Sequence, residues 1–298
     1  MSVADVSAAA APMRETPDMR RSMGDARNIM SAVLTGLVWL LALLASAPLI
    51  SVLYMLVSEG GARLSWETLT ALPPAGFMQG GGFGNAILGT LVMVGIASAV
   101  CIPIGVIGGA YLGVVAPKSK LSAGARFVAQ VLTGFPSILA GVFVFGVLVK
   151  GLGTYSAIAG GFALAIGMLP TVILTAEQAM RMVPQRMKDA AVGMGCTTTQ
   201  GVLKVVLPTA LPGVMTGVML AVAGAAGESA PLLFTALFSN YWLEGLLEPT
   251  ASLSILIFNF SGMPFPNQIQ LAWSASLVLV LIVLVFNILS RLIGARRV

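Results

Sequence analysis

Residues 189–208 read DAAVGMGCTTTQGVLKVVLP, and long uncharged runs flank this charged part of the chain on both sides. The segment belongs to the largest cluster of charges that follows the polar N-terminal tail. A polar segment with glycines between two membrane spans is where a contact with a soluble partner is expected. The fold class therefore depends on whether the flanking runs cross a membrane.

The composition is that of an integral membrane protein. Hydrophobic residues make up 57% of the 298 residues, charged residues only 9%, and the mean hydropathy is +0.96. A soluble domain of this size needs more charge to cover its surface. The net charge of +5 does not indicate nucleic-acid binding, because the basic residues lie in short loops. Histidine is absent and the two cysteines have unlike surroundings, so neither a metal site nor a disulfide is predicted.

Six apolar runs, all uncharged except for Glu228 in the fifth, are predicted to cross the membrane, since each reaches the roughly 20 residues that a helical span requires. They cover residues 29–57, 85–115, 127–149, a run that ends near 176, 205–238 and 271–290. The predicted fold is therefore all-α, a polytopic membrane protein with six transmembrane helices. The first run is longer than the apolar part of a signal peptide, so a retained helix is predicted. The apolar patch 253–260 is too short to span and is expected at the membrane interface.

The chain is predicted to divide into five parts. They are a disordered cytoplasmic tail (1–28), a first transmembrane helix (29–57), an extracytoplasmic loop (58–79), a transmembrane domain (80–292) that includes a cytoplasmic charged segment (177–208), and a cytoplasmic C-terminal end (293–298).

The basic residues predict the topology. Four arginines precede the first run, three basic residues follow the second, four lie between residues 177 and 204, and three close the chain. Only Arg63 and Lys150 fall in the alternate loops. Because cytoplasmic loops carry the excess of Lys and Arg, both termini and the 189–208 segment are predicted to be cytoplasmic.

Locally, the 189–208 segment predicts two short helices joined by a turn. Gly195 suits the position after a helix, and the threonines that follow it favour a helix start. A second helix from about Gln200 is expected to stop at Pro208. Small residues in the first helix permit close approach to a groove of a partner protein. From these local features alone, an ordinary interfacial loop is an equally good interpretation.

The segment also resembles the EAA signature of ABC-importer permeases, in which an acid, two alanines, a glycine and a closing aliphatic-x-Leu-Pro recur at fixed spacing. Aspartate replaces the usual glutamate and valine the usual isoleucine, and both changes preserve the chemistry. In that family the hairpin is the coupling helix that sits in a cleft of the cytoplasmic ATPase. The residues to which the resemblance assigns ATPase coupling are Asp189, Ala190, Ala191, Gly195, Val205, Leu207 and Pro208.

Three further stretches are similar to permease subunits of phosphate ABC importers: GESAPLLFTA at 227–236, MRMVP at 180–184 and LTGFPSI at 132–138. The resemblance covers roughly residues 80–292 and implies the type I ABC importer permease fold, phosphate as substrate and a bacterial inner membrane. One departure is Gly224, where the family often has an arginine four residues before the glutamate. The implied partners are a homologous second permease, two ATP-binding subunits and an extracytoplasmic phosphate-binding protein.

The chain is predicted not to be an enzyme, because no stretch matches a phosphate-binding Walker loop. ATP and Mg²⁺ are expected on the partner ATPase, and no cofactor on this chain. Two alternatives stay open: a permease of the same architecture for another oxyanion such as molybdate or sulfate, and a membrane scaffold that acts in phosphate signalling without transport. An intramembrane enzyme is disfavoured, since one isolated glutamate without histidine offers no catalytic group set.

Glu228 is a carboxylate between two long apolar runs. An acid at the membrane centre costs about 2.5–3.5 kcal/mol, so something should compensate it. Either it braces neighbouring helices through hydrogen bonds, or it belongs to the translocation path or its gate. Residues 134–137, Gly-Phe-Pro-Ser, either break a helix and expose backbone N–H groups to an anion or only kink it. The candidate residues of the translocation path or gate are Glu228, Ser229, Arg181 and Ser137.

Overall fold

The computed structural model describes residues 26–295, and every regular element in that range is a helix. The chain forms two compact units, Met1–Tyr54 and Met55–Val298. Most of the predicted tail 1–28 and the last three residues of the predicted end 293–298 lie outside the described residues.

The helices fall in the following order. The first half of the chain contains α1 (Ala26–Ala62), α2 (Trp66–Thr70), α3 (Gly84–Ala110), α4 (Lys120–Thr133), α5 (Ser137–Val144) and α6 (Lys150–Leu152). The second half contains α7 (Ala157–Arg181), α8 (Gln185–Gly193), α9 (Thr198–Gly201), α10 (Leu207–Gly227), α11 (Ala230–Leu233), α12 (Leu253–Ser261) and α13 (Pro266–Ala295). Wider π turns at Tyr111–Val115, Phe145–Val149 and Val202–Val206 prolong α3, α5 and α9.

Five helices of the described chain are long and apolar enough to cross a membrane, and a sixth span results if α4 and the helix that follows it count as one. The prediction of a single helix over 127–149 is wrong, because the chain bends by 105° between Thr133 and Ser137. Pro136 disfavours a helical conformation of the residue before it and is itself non-helical, with φ −59° and ψ 123°. The GFPS segment therefore breaks the helix rather than kinking it.

The core of the second unit is built on α7. Helix α3 packs along α7, and α10 packs against α7 as well. Glycines allow the backbones of α3 and α7 to approach closely: a methyl group on Gly105 would lie 2.5 Å from Val172, and one on Gly161 would lie 2.6 Å from Ile96. Such small residues are the usual means of close helix packing in a membrane.

The C-terminal part departs from the sequence prediction in one place and adds detail to it in another. Helix α10 ends at Gly227, so the predicted span 205–238 is shorter at its end than expected. The patch 253–260 is helix α12, which buries Leu253 and Leu256 in a cluster with residues of α13 and leaves Phe258 exposed; its place at the membrane interface stays a prediction. An apolar run alone reveals neither where a helix ends nor which helix packs against it.

Candidate functional site

A cavity of about 260 Å³ lies between α5, α7, α10 and α11. Ser137 comes from the start of α5, Thr171 from the middle of α7, and Glu228 from the residue that follows α10. Among the described lining residues Glu228 alone is charged, and most of the others are apolar or glycine. This space is called the Glu228 cavity below.

Glu228 is held in place by its backbone. It has extended geometry, with φ −76° and ψ 122°, at the point where α10 ends. Its N–H donates to Ala225 O at 3.3 Å, and its C=O accepts a hydrogen bond from Ser254 Oγ at 3.0 Å. Within residues 26–295 the carboxylate itself accepts no hydrogen bond, and the residue is half-buried. The side chain is therefore available to whatever enters the cavity.

Ser137 reaches the cavity because the chain breaks before it. Helix α5 starts directly after Pro136, so its first turn forms part of the cavity wall. The first N–H groups of a helix have no partner inside the helix and carry partial positive charge. A hydroxyl and these N–H groups are suitable donors to an anion.

The other predicted path residues lie elsewhere. Ser229 follows Glu228 at the start of α11 but does not line the cavity. Arg181 is ten residues beyond Thr171 on α7, which corresponds to about 15 Å along the helix. It forms an ion pair with Glu177 instead. The structure thus brings Ser137 and Glu228 together and leaves Arg181 apart.

Two functional candidates were missed in the sequence. Thr171 lines the cavity, and the signal for it is a hydroxyl side chain in the middle of an apolar run. Glu177 was assigned to a charged loop, yet it lies on α7 and is buried. Gly224 also lines the cavity, and a methyl group added there would meet nothing within 4 Å, so its lack of a side chain leaves open space beside Glu228.

The 189–208 segment forms the predicted hairpin, which consists of α8, the turn after it, α9 and the π turn Val202–Val206. Gly195 has φ +81°, the left-handed conformation that favours glycine. Gly195 N–H donates to Val192 O and Cys196 N–H donates to Ala191 O, which is the Schellman pattern of a helix end. The predicted position of Gly195 after the helix is confirmed.

The second helix of the hairpin begins with a capping box between Thr197 and Gln200, as the threonines predicted. The prediction that it stops at Pro208 is wrong. The π turn Val202–Val206 leads into α10, and helical structure runs without interruption over Thr198–Gly227. Leu207 N–H bonds to Val202 O, five residues back, and this wider turn lies where a proline would otherwise interrupt the ladder.

The hairpin presents apolar side chains outward. Val192, Met194 and Leu203 are 70%, 75% and 58% exposed, although they lie in the most charged part of the chain after the tail. The predicted coupling residues differ in how exposed they are. Asp189, Ala190, Gly195 and Pro208 are exposed, Val205 and Leu207 are half-buried, and Ala191 is buried.

These features define a class of protein. Over the described residues, an all-helical fold with five to six spans, a broken span beside the Glu228 cavity and a helical hairpin between two spans is that of a multi-pass permease with the type I ABC importer fold. The chain belongs to the family of binding-protein-dependent transport system inner membrane components, whose model matches residues 101–298.

The similar proteins agree with this assignment. The chain is 35% identical over 268 residues to a phosphate transport system permease protein PstA of Yersinia pestis, covering 90% of this chain and 88% of that one. It is 36% identical over 260 residues to a probable PstA of Methanocaldococcus jannaschii, covering 87% and 91%. An inward-facing MetNI methionine ABC transporter aligns with a TM-score of 0.59 at 20% identity, covering 72% and 96%. The similarity to the MetNI transporter concerns the fold alone.

Proposed function

We propose that this chain is a permease subunit of an ATP-driven phosphate importer and forms the translocation path with a homologous second permease. The observation that carries the proposal is the uninterrupted helix Thr198–Gly227, which starts in the hairpin and ends at Glu228 in the cavity. Its 30 residues correspond to a rod of about 45 Å. A displacement of the hairpin is therefore transmitted directly to Glu228.

The hairpin is the docking element for a cytoplasmic ATP-binding subunit, and the complex contains two such subunits. Exposed Val192, Met194 and Leu203 supply the apolar contacts, and small residues allow close approach to a cleft. Hydrolysis of ATP, with its Mg²⁺, takes place on those subunits and not on this chain. The excess of basic residues around the hairpin supports a cytoplasmic location for it and for both termini.

Phosphate is the substrate that fits the Glu228 cavity and the names of the relatives. An acid does not attract an anion, but it accepts a hydrogen bond from the protonated oxygen that phosphate keeps near neutral pH. Ser137 and Thr171 offer hydroxyl groups to the remaining oxygens. The compensating positive charge comes from the second permease, because the described lining of this cavity contains none. An extracytoplasmic phosphate-binding protein delivers the anion.

Uptake of labelled phosphate tests the proposal. The full complex with and without this chain is placed in vesicles that contain ATP, and unlabelled arsenate, sulfate or molybdate is added as competitor. We expect uptake only when this chain is present, competition by arsenate, which is also protonated, and none by sulfate. Equal competition by sulfate or molybdate would indicate a permease for another oxyanion. A complex that responds to phosphate without taking it up would indicate a signalling scaffold.

A further inference from the structure

Three charged side chains form a cluster outside the Glu228 cavity. Glu177 on α7 is 3% exposed. Its Oε1 accepts hydrogen bonds from Arg126 Nη2 at 2.7 Å and Arg126 Nε at 3.0 Å, and it lies 2.9 Å from Arg181 Nη2. We call Arg126, Glu177 and Arg181 the Glu177 cluster.

The cluster lies where the hairpin meets the broken span. Glu177 and Arg181 occupy the last turns of α7, and α8 of the hairpin begins four residues after Arg181. Arg126 lies on α4, and its Nη2 also donates to Leu112 O in the π turn after α3 at 3.4 Å. The far end of α4 leads through the break to Ser137 in the cavity wall.

Glu177 has no room to move away from these partners. A methyl group on Gly109 would lie 2.8 Å from Glu177 N, and one on Gly113 would lie 3.0 Å from Glu177 O. The backbones of α3 and α7 are thus in direct contact on this side. Packing thus fixes the backbone of Glu177, and the guanidinium group of Arg126 binds the carboxylate through two nitrogens in a defined orientation.

We infer that Glu177 is a positioning residue of the transport cycle. It makes the hairpin end of α7 and the helix α4 move as one body, so that movement of the hairpin reaches Ser137 as well as Glu228. The two walls of the Glu228 cavity are then driven together, one through α10 and the other through α4 and α5. This inference rests on the proposed function.

The two arginines of the Glu177 cluster differ in exposure, and we assign them different roles. Arg126 is 25% exposed and holds the carboxylate through two nitrogens, so it provides the tie between helices. Arg181 is 47% exposed and lies one turn after Glu177 on the same helix, so it compensates charge without joining two elements. Loss of Arg126 should therefore uncouple transport more than loss of Arg181.

The test measures phosphate uptake and ATP hydrolysis in the same vesicles, with the complete complex. For Glu177→Gln we expect continued ATP hydrolysis and a fall of about tenfold in phosphate moved per ATP. Arg126→Gln should behave likewise, and Arg181→Gln should retain more coupling. Lys120→Gln is the matched control, since it removes an exposed charge from the same helix α4, and it should leave the ratio unchanged.

A second variant separates positioning from folding. In the double variant Arg126→Gln with Glu177→Gln the only charge left of the cluster is that of Arg181, whose half-exposed side chain can be hydrated, so assembly should be retained while the ratio stays low. A wild-type ratio in either Glu177 variant overturns the inference, and so does failure of both to assemble, because Glu177 would then serve folding alone. Absence of phosphate uptake by the wild-type complex would instead contradict the proposed function.

Discussion

Backbone contacts, and not contacts of its side chain, fix the position of Glu228. The end of α10, the hydrogen bond from Ser254 and the start of α11 fix its Cα, while its carboxylate has no hydrogen-bond partner within residues 26–295. A side chain that braced the bundle would accept hydrogen bonds from neighbouring helices. The geometry therefore favours the gate interpretation, which remains a prediction.

Neutralising this side chain should stop transport without disturbing the fold. We expect Glu228→Gln to reduce phosphate uptake about tenfold or more, the loss that corresponds to one hydrogen bond to a charged group. Glu228→Asp should keep part of the activity, because the charge is retained on a shorter side chain. The measurement is uptake at equal membrane abundance, with Glu244→Gln in the exposed loop as control. Wild-type uptake by Glu228→Gln would leave Glu228 as a structural residue.

At the scale of elements, the hairpin depends on Gly195 for two separate reasons. Its φ of +81° is unfavourable for most side chains by roughly 1–2 kcal/mol. A methyl group added at Gly195 would meet no atom of this chain within 4 Å, so the chain itself leaves space there. A steric effect beyond this backbone strain would therefore come from outside this chain, and the proposed contact with the ATPase is where we expect it.

The pair Gly195→Asp and Gly195→Asn separates the two reasons. Both side chains have the same shape and tolerate the left-handed conformation better than others. We expect Gly195→Asp to insert normally in the membrane but to lose ATPase binding and uptake, and Gly195→Asn to lose less, since it adds no charge. Co-purification of the ATPase with each variant is the measurement. Unchanged uptake by Gly195→Asp would contradict the assignment of the hairpin to coupling.

At the scale of the whole molecule, the close contact of α3 with α7 should determine how stable the bundle is. Gly105→Val would place a branched side chain against buried Val172, and overpacking of this kind costs about 1–3 kcal/mol. Gly95→Val is the matched control on the same helix, because a side chain there meets nothing within 4 Å. We expect a lower Tm in detergent for Gly105→Val alone. Equal Tm values would contradict the packing described for α3 and α7.

The topology of the whole chain is also testable. Cys196, which is partly exposed in the hairpin, should react with an impermeant maleimide only from the cytoplasmic side. Lys150→Cys should react only from outside. Cys101 is buried and its Sγ donates to Ala165 O at 2.9 Å, so the Cys196→Ser variant should show no labelling. Labelling of Cys196 in sealed intact cells would reverse the predicted orientation.

Several features followed from the sequence because they depend on local physics. Long uncharged runs must become helices in a bilayer, where each backbone N–H and C=O has to be satisfied within its own segment. The turn of the hairpin followed from Gly195 and the threonines after it, since helix ends are set by neighbouring residues. The family was likewise readable from the spacing of the 189–208 segment, which the matched family model confirms.

The tertiary structure alone decided which side chains meet. Ser137, Thr171 and Glu228 lie far apart along the chain and line one cavity because three helices end or cross there. Arg181 pairs with Glu177 rather than lining a path, and Arg126 reaches the same carboxylate from a helix that sequence analysis had placed partly in a loop. The Glu177–Arg181 pair is local, because the two residues lie four apart on one helix, whereas the contact between Arg126 and Glu177 depends on how α4 packs against α7, which no local pattern encodes.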